Sequence, residues 1–207
     1  SDLFSIVNAQ NIPMKLITPS YLKKGDTIAI VAPAGILKNR KHVIDKAKEL
    51  AESWGLKVIY GKNMFLQNNH FAGTDDERCQ DFQNALDNPN IKAIWCARGG
   101  YGSVRILDKL DFSKFKKSPK WVIGYSDITA FHNHIHNLGI ETLHAMMGTS
   151  MQDSSEKIAH TITTFKNALF GEKLEYSVSS SKKNRIGNVE GELVGGNIAI
   201  LASMLGS

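Results

Sequence analysis

Cysteine is nearly absent from this chain: among 207 residues there are two, Cys79 and Cys96, in unlike contexts and without metal-ligand spacing. That excludes a disulfide framework and gives no support to a zinc site. Cys96, inside an apolar run, reads as a buried strand residue. Long hydrophobic runs are missing as well, and none approaches the length of a membrane span. Basic residues give a formal charge of +5, but aromatic residues do not interleave with them. Their densest groups (Lys114, Lys116, Lys117, Lys120 and Lys182, Lys183, Arg185) fall in polar, loop-like stretches. These read as solvated faces, without a nucleic-acid partner. Two glycine fingerprints are incomplete. Arg98-Gly99-Gly100-Tyr101-Gly102 has no Lys-Ser or Lys-Thr in the Walker position and no third glycine of the dinucleotide pattern, which disfavours a nucleotide site.

What the chain does have is 42% hydrophobic and 22% charged residues, enough for one good core and the start of a second. Thr27 to Ala32 is a short β-rich run closed by Pro33-Ala34-Gly35. From Arg40 to Trp54, apolar residues at three- and four-residue spacing predict a helix that Gly55 stops, and Lys57 to Tyr60 starts a second strand. Thr74 and Glu77 form a capping-box signature for the next helix, which Arg78, Phe82, Ala85 and Leu86 carry on to Pro89. Ile91 to Ala97 is a strand, Ser103 to Leu110 a helix, Trp121 to Gly124 a strand, Asp127 to Asn137 a helix, Ile140 to Leu143 a short strand and Ser154 to Phe170 a helix.

This alternation predicts an α/β fold, a mostly parallel sheet flanked by helices in the Rossmann-like or flavodoxin-like manner. Ligands of such sheets bind beyond the carboxyl ends of the strands, where Pro33 to Gly35, Arg98 to Gly102, Gly124 to Asp127 and His144 would gather. The expected organisation is a tail over 1–22, an α/β domain over 23–172, a Ser- and Lys-rich linker over 173–190 and the first helix of a truncated second domain over 191–207. Leu3 to Ala9 reads either as the end of a secretory signal or as a frayed tail, and the first reading tilts localisation slightly towards the cell envelope or periplasm over the cytoplasm.

The segment Trp121-Val122-Ile123-Gly124-Tyr125-Ser126-Asp127-Ile128-Thr129 carries the chemistry. An apolar strand ends at a glycine and then presents one serine, as at a strand-to-helix elbow that exposes a nucleophile. The match is partial, because G-x-S-x-G would place a glycine where Ile128 stands. Taken alone, the pattern fits an N-cap serine better. Glycines after a strand offer backbone N–H groups to a substrate oxygen, and Arg98 can meet a carboxylate, in a substrate or in a structural ion pair. His132 and His136 share a helix face at zinc-ligand spacing, but no third ligand accompanies them, so they read as helix-surface histidines. His144, after the expected fifth strand, is better placed near Ser126, as a base, a wall of the site or a packed histidine.

Several separated segments together resemble the LD-carboxypeptidase family, which includes muramoyl-tetrapeptide carboxypeptidases and the related microcin-immunity peptidases. They are Gly25 to Gly35, Phe71-Ala72-Gly73-Thr74-Asp75-Asp76-Glu77-Arg78, Ala97 to Gly102, Gly124-Tyr125-Ser126-Asp127-Ile128-Thr129 and Gly195-Gly196-Asn197. The resemblance implies that Ser126 is the nucleophile of a Ser-His-Glu peptidase, with backbone N–H groups of Asp127 and Gly100 as its oxyanion hole. It implies a substrate-binding rim of Arg98, Gly99, Tyr101 and His144, and a peptidoglycan-derived peptide as substrate, cut to release a terminal D-alanine. No metal or organic cofactor is required by serine acyl transfer. In the family the glutamate and histidine come from the second domain, so this chain is expected to be inactive alone and to form a homodimer through apolar helix surface left at its end. Leu143-His144-Ala145-Met146 departs from the family's His-Gly-Pro pattern. The alternative to a peptidase is a non-catalytic muropeptide-binding α/β module.

Overall fold

A computed structural model describes residues 15–172. Five parallel strands form one sheet in the order β2-β1-β3-β4-β5: β1 (Thr27–Val31), β2 (Lys57–Tyr60), β3 (Ile91–Cys96), β4 (Trp121–Gly124) and β5 (Leu143–His144). The helices are α1 (Lys41–Ser53), α2 (Asp75–Asp87), α3 (Ser103–Leu107), α4 (Ser113–Lys117), α5 (Thr129–Asn137) and α6 (Ser155–Phe170), with 3-10 turns at Ser126–Ile128 and Gly148–Gln152. Parallel strands need crossovers, and the helices supply them on both faces. The expected α/β class is what the chain adopts, with the strand order of flavodoxin-like sheets.

Strand alternation sorts the core into two layers. Ile28, Ile30, Trp95, Trp121 and Ile123 face α1 and α6, where they pack with Ile44, Ala47 and Phe165. Ala29, Val31, Ile94, Cys96 and Val122 face the other helices, against Phe82, Phe115, Phe131 and Ile135. Phe82 of α2 and Phe131 of α5 stack at 4.4 Å, joining two helices over β3. The Thr74 capping box forms as expected: its hydroxyl accepts from Glu77 N, and the Glu77 carboxylate accepts from Thr74 N at 2.9 Å.

Several elements differ from expectation, each for a local reason. The folded body takes in part of the expected tail: Ile17 bridges Ile140, Leu22 is buried, and Trp121 Nε1 donates to Ser20 O at 3.1 Å. The last strand pairs at Leu143 and His144 instead of Ile140 to Leu143, because Ile140 is occupied by that bridge. The helix from Ser103 is one turn long, ending at Leu107. Lys114, Lys116 and Lys117 sit on α4, not in a loop, and Lys120 is only 5% exposed. Its ammonium donates to Ala85 O at 2.8 Å and Asn88 O at 2.7 Å, closing the carbonyl end of α2. Cys96 is buried as expected, and burial pushes its thiol pKa up, so it lies inert in the core. The linker, the last helix and the signal-like segment lie outside the described residues.

Candidate active site at the carboxyl edge of the sheet

β4 ends at Gly124, Tyr125 stays extended, and Ser126 turns the chain with φ 60°, one of three non-glycine residues with positive φ among the described residues. A left-handed serine costs about 1–2 kcal/mol relative to a glycine. Such strain is held only where the surroundings over-determine it, and it marks functional turns. Ser126 is exposed, heads the 3-10 turn Ser126–Ile128, and caps no helix with its side chain. The N-cap reading is thereby corrected, and α5 begins at Thr129 instead of Asp127.

The missing second glycine of the elbow has a geometric answer. A Cβ on Gly124 would lie 2.9 Å from both Cγ1 and Cγ2 of Ile128, a residue that is fully buried. The close approach is thus met by the first glycine alone, and the branched side chain of Ile128 fills the space a Gly124 side chain would take. Beneath the elbow His132 is 2% exposed, not a surface histidine. Its Nε2–H donates to Gly124 O at 2.8 Å, while Nδ1 is buried without a partner. The His144 ring stacks on it at 3.8 Å, from the residue that pairs with Gly124 across the sheet. Burial, with the His144 neighbour second, pulls the His132 pKa down to about 3, and burial lowers that of His144. Both rings are neutral at pH 7. Neither forms a zinc site with His136, and no group of metal-ligating residues gathers among the described residues.

The glycine turn after β3 stands directly against Ser126. A Cβ on Gly99 would meet Ser126 Cβ at 3.4 Å and Ser126 Oγ and Asp127 N at 3.6 Å, so Gly99 leaves the approach to hydroxyl and amide open. Gly100 has φ +133°, and a Cβ there would lie 3.0 Å from Gly35 N. Among the described residues, the N–H groups of Gly100 and Asp127 enter no backbone hydrogen bond. The Asp127 carboxylate accepts from Ser103 N at 2.9 Å, tying the elbow to the first residue of α3. That carboxylate is therefore structural, sited where a helix start favours negative charge.

Arg98 is half-buried, and its guanidinium donates to Ile36 O without a carboxylate partner among the described residues. The structural ion pair is replaced by a carbonyl contact, which leaves the charge uncompensated; burial and Arg40 lower its pKa. Tyr101 is 90% exposed and Tyr125 is also exposed, so the site is rimmed by aromatic surface.

One organising residue escaped sequence reasoning. Arg78 is buried and donates from Nε to Pro33 O at 2.9 Å and from Nη1 to Gly73 O at 2.8 Å. Its Nη2 binds Asp75 at 2.6 Å and reaches Gly102 O at 3.5 Å. The loops after β1 and β3 and before α2 thus meet on one guanidinium. The signal was present in the sequence, since Arg78 stands on the same apolar stripe as Phe82, Ala85 and Leu86.

The model of the LD-carboxypeptidase N-terminal domain matches residues 28–145. A probable murein peptide carboxypeptidase of Bacillus subtilis is 38% identical over 192 residues, covering 91% of this chain and 60% of that protein. The murein tetrapeptide carboxypeptidase of Pseudomonas aeruginosa is 31% identical over 191 residues, covering 87% and 60%. Among solved structures, the microcin C7 self-immunity protein MccF in complex with aspartyl sulfamoyl adenosine is similar with a TM-score of 0.70 at 26% identity, over 77% of this chain and 48% of that one. The muramoyltetrapeptide carboxypeptidase of Oxalobacter formigenes is similar with a TM-score of 0.59 at 30% identity, over 68% and 47%. The chain spans about 60% of the length of these two murein carboxypeptidase relatives. With the family's N-terminal domain matched over more than half its length, the chain belongs to the LD-carboxypeptidase family.

Proposed function

We propose that this chain is the nucleophile-bearing part of a serine carboxypeptidase that acts on peptidoglycan-derived peptides and releases a terminal D-alanine. The observation that carries the reading is Ser126 at φ 60°, exposed at the end of β4 and faced by a glycine turn. Its hydroxyl attacks the scissile carbonyl, and the N–H groups of Asp127 and Gly100 receive the oxyanion. A histidine takes the hydroxyl proton and returns it to the leaving amine, and a glutamate holds that histidine's tautomer. His132 does not fill this role, because its Nε2–H is committed to Gly124 O and its ring is buried. The histidine and glutamate come instead from the part of the protein beyond the span shared with the relatives. Arg98, with its unpaired charge, receives the free carboxylate of the peptide, beside Gly99, Tyr101 and His144.

The test compares D-alanine release from a cell-wall tetrapeptide by this chain, by a form extended to the length of its relatives, and by the extended form carrying Ser126→Ala. Activity is expected in the extended form alone, falling on the order of 10⁶-fold with Ser126→Ala. Release by the 207-residue chain would refute the need for a second domain, and activity that survives Ser126→Ala would refute the nucleophile. Tetrapeptide bound but uncut by every form would establish the muropeptide-binding module instead.

A further inference from the structure

A cavity of about 540 Å³ lies at the edge of the sheet opposite Ser126. Asp26 precedes β1, Ile91 opens β3 and Lys120 precedes β4; because the strands are parallel, these lining residues mark the amino edge, away from Ser126. Five lysines line it (Lys23, Lys92, Lys114, Lys117 and Lys120) against two aspartates, Asp26 and Asp87. Asp26 is taken by Lys23, whose Nζ lies 3.3 Å away, and Asp87 accepts from Gln83 Nε2 at 3.0 Å. Lys92 donates to a carbonyl, Pro89 O at 3.1 Å, and enters no ion pair among the described residues. Lys114 and Lys117 enter no ion pair among the described residues. The cavity therefore holds an excess of three positive charges.

Two features separate this cavity from an ordinary lysine-studded surface. Lys120 is nearly fully buried and fixed by two carbonyls, so one cation is preorganised at the wall with little entropy left to lose on binding. Its burial, with the Lys92 charge second, holds its pKa down to about 8. Tyr21, Pro89 and Pro119 supply accessible apolar lining beside these cations, with Leu86 and Ile91 buried in the core at its edge. Pockets that combine an apolar wall with a few fixed charges bind small molecules whose body and head match both.

We propose that this cavity binds a small organic phosphate, its anionic head met by Lys92, Lys114, Lys117 and Lys120 and its apolar body lying along Tyr21, Pro89 and Pro119. The site is separate from the peptide cleft and independent of Ser126. Phosphate is a strong acceptor for ammonium donors, and lysines bind it as point charges.

The experiment is a titration of the 207-residue chain at low salt with phenyl phosphate, inorganic phosphate and benzyl alcohol, followed by backbone amide shifts. Phenyl phosphate is expected to saturate with a Kd in the range of about 1–5 mM or tighter, shifting amides around Lys92, Lys117 and Lys120. Inorganic phosphate binds more weakly at the same residues, and benzyl alcohol does not saturate. Lys114→Gln combined with Lys117→Gln, two exposed changes that leave Lys120 in place, weakens phenyl phosphate binding at least about threefold. Ser126→Ala leaves it unchanged. Absence of saturation, an undiminished affinity in the double variant, or shifts confined to other surfaces would each overturn the proposal.

Discussion

Replacing Gly124 with alanine puts one methyl group where the elbow has no room for it. The new Cβ would lie 2.9 Å from two carbons of Ile128 and 3.1 Å from a third, against a favourable carbon–carbon separation of about 3.5–4.0 Å. Ile128 is fully buried in the layer formed with Phe131 and Ile135, so it has no free volume to retreat into. Overpacking of this kind costs about 1–3 kcal/mol. For a chain of this size each kcal/mol moves Tm by about 2–4 °C, so Gly124→Ala is expected to lower Tm by roughly 2–12 °C in thermal unfolding followed by circular dichroism. Ile128→Ala removes both Cγ atoms and costs about 2–5 kcal/mol by itself. In that background both 2.9 Å contacts are gone and the 3.1 Å approach to the retained Cβ is what is left, so Gly124→Ala costs at most about 1 kcal/mol, offset in part because alanine reduces the freedom of the unfolded chain. A double-mutant cycle in urea reads the difference directly. An equal cost of Gly124→Ala in both backgrounds would show that Ile128 does not occupy the vacated space, and the account of a one-glycine elbow would fall.

Three further outcomes follow from the same region. Ser126→Gly relieves the left-handed backbone and raises stability by about 0.5–1.5 kcal/mol in urea unfolding, whereas Ser126→Ala does not; a loss of stability on Ser126→Gly would mean the turn stores no strain. Gly99→Ala places a methyl group at ordinary contact distance from Ser126, so Tm holds within about 2 °C while tetrapeptide turnover by the extended form falls at least about tenfold; turnover at the unsubstituted rate would move the approach path elsewhere. His132 has a native pKa near 3 against about 6.5 unfolded, so the unfolded state binds the extra proton between these values. Stability therefore falls as pH drops from about 6.5 towards 3, by up to about 1.4 kcal/mol per pH unit, and His132→Gln flattens that slope; a slope unaltered by the substitution would assign the acid sensitivity to other groups.

The sheet and its helices were legible because each strand is a short apolar run and each long helix has an apolar stripe, signals that local sequence carries on its own. The capping box at Thr74 was equally plain, since both partners lie within one turn. The site was legible only in part. Ser126 and the turn at Gly99 and Gly100 stand out as punctuation after strands, but their mutual approach is a tertiary fact. His132 was misjudged because helical spacing does not tell which face is buried when the carbonyl it serves lies at the end of a strand. Lys120 was misjudged likewise, since its acceptors at Ala85 and Asn88 come from a helix end more than thirty residues away.

The Arg78 clamp bears on how such a scaffold can diversify. Because Pro33 O, Gly73 O and the neighbourhood of Gly102 O converge on one side chain, an insertion or deletion in any one of these loops shifts an acceptor that the other two depend on. The three segments are thereby tied to a common length, and the turns beside Ser126 keep or lose their positions together. Positions such as Tyr101 and Tyr125, whose side chains reach solvent, can change without undoing the knot.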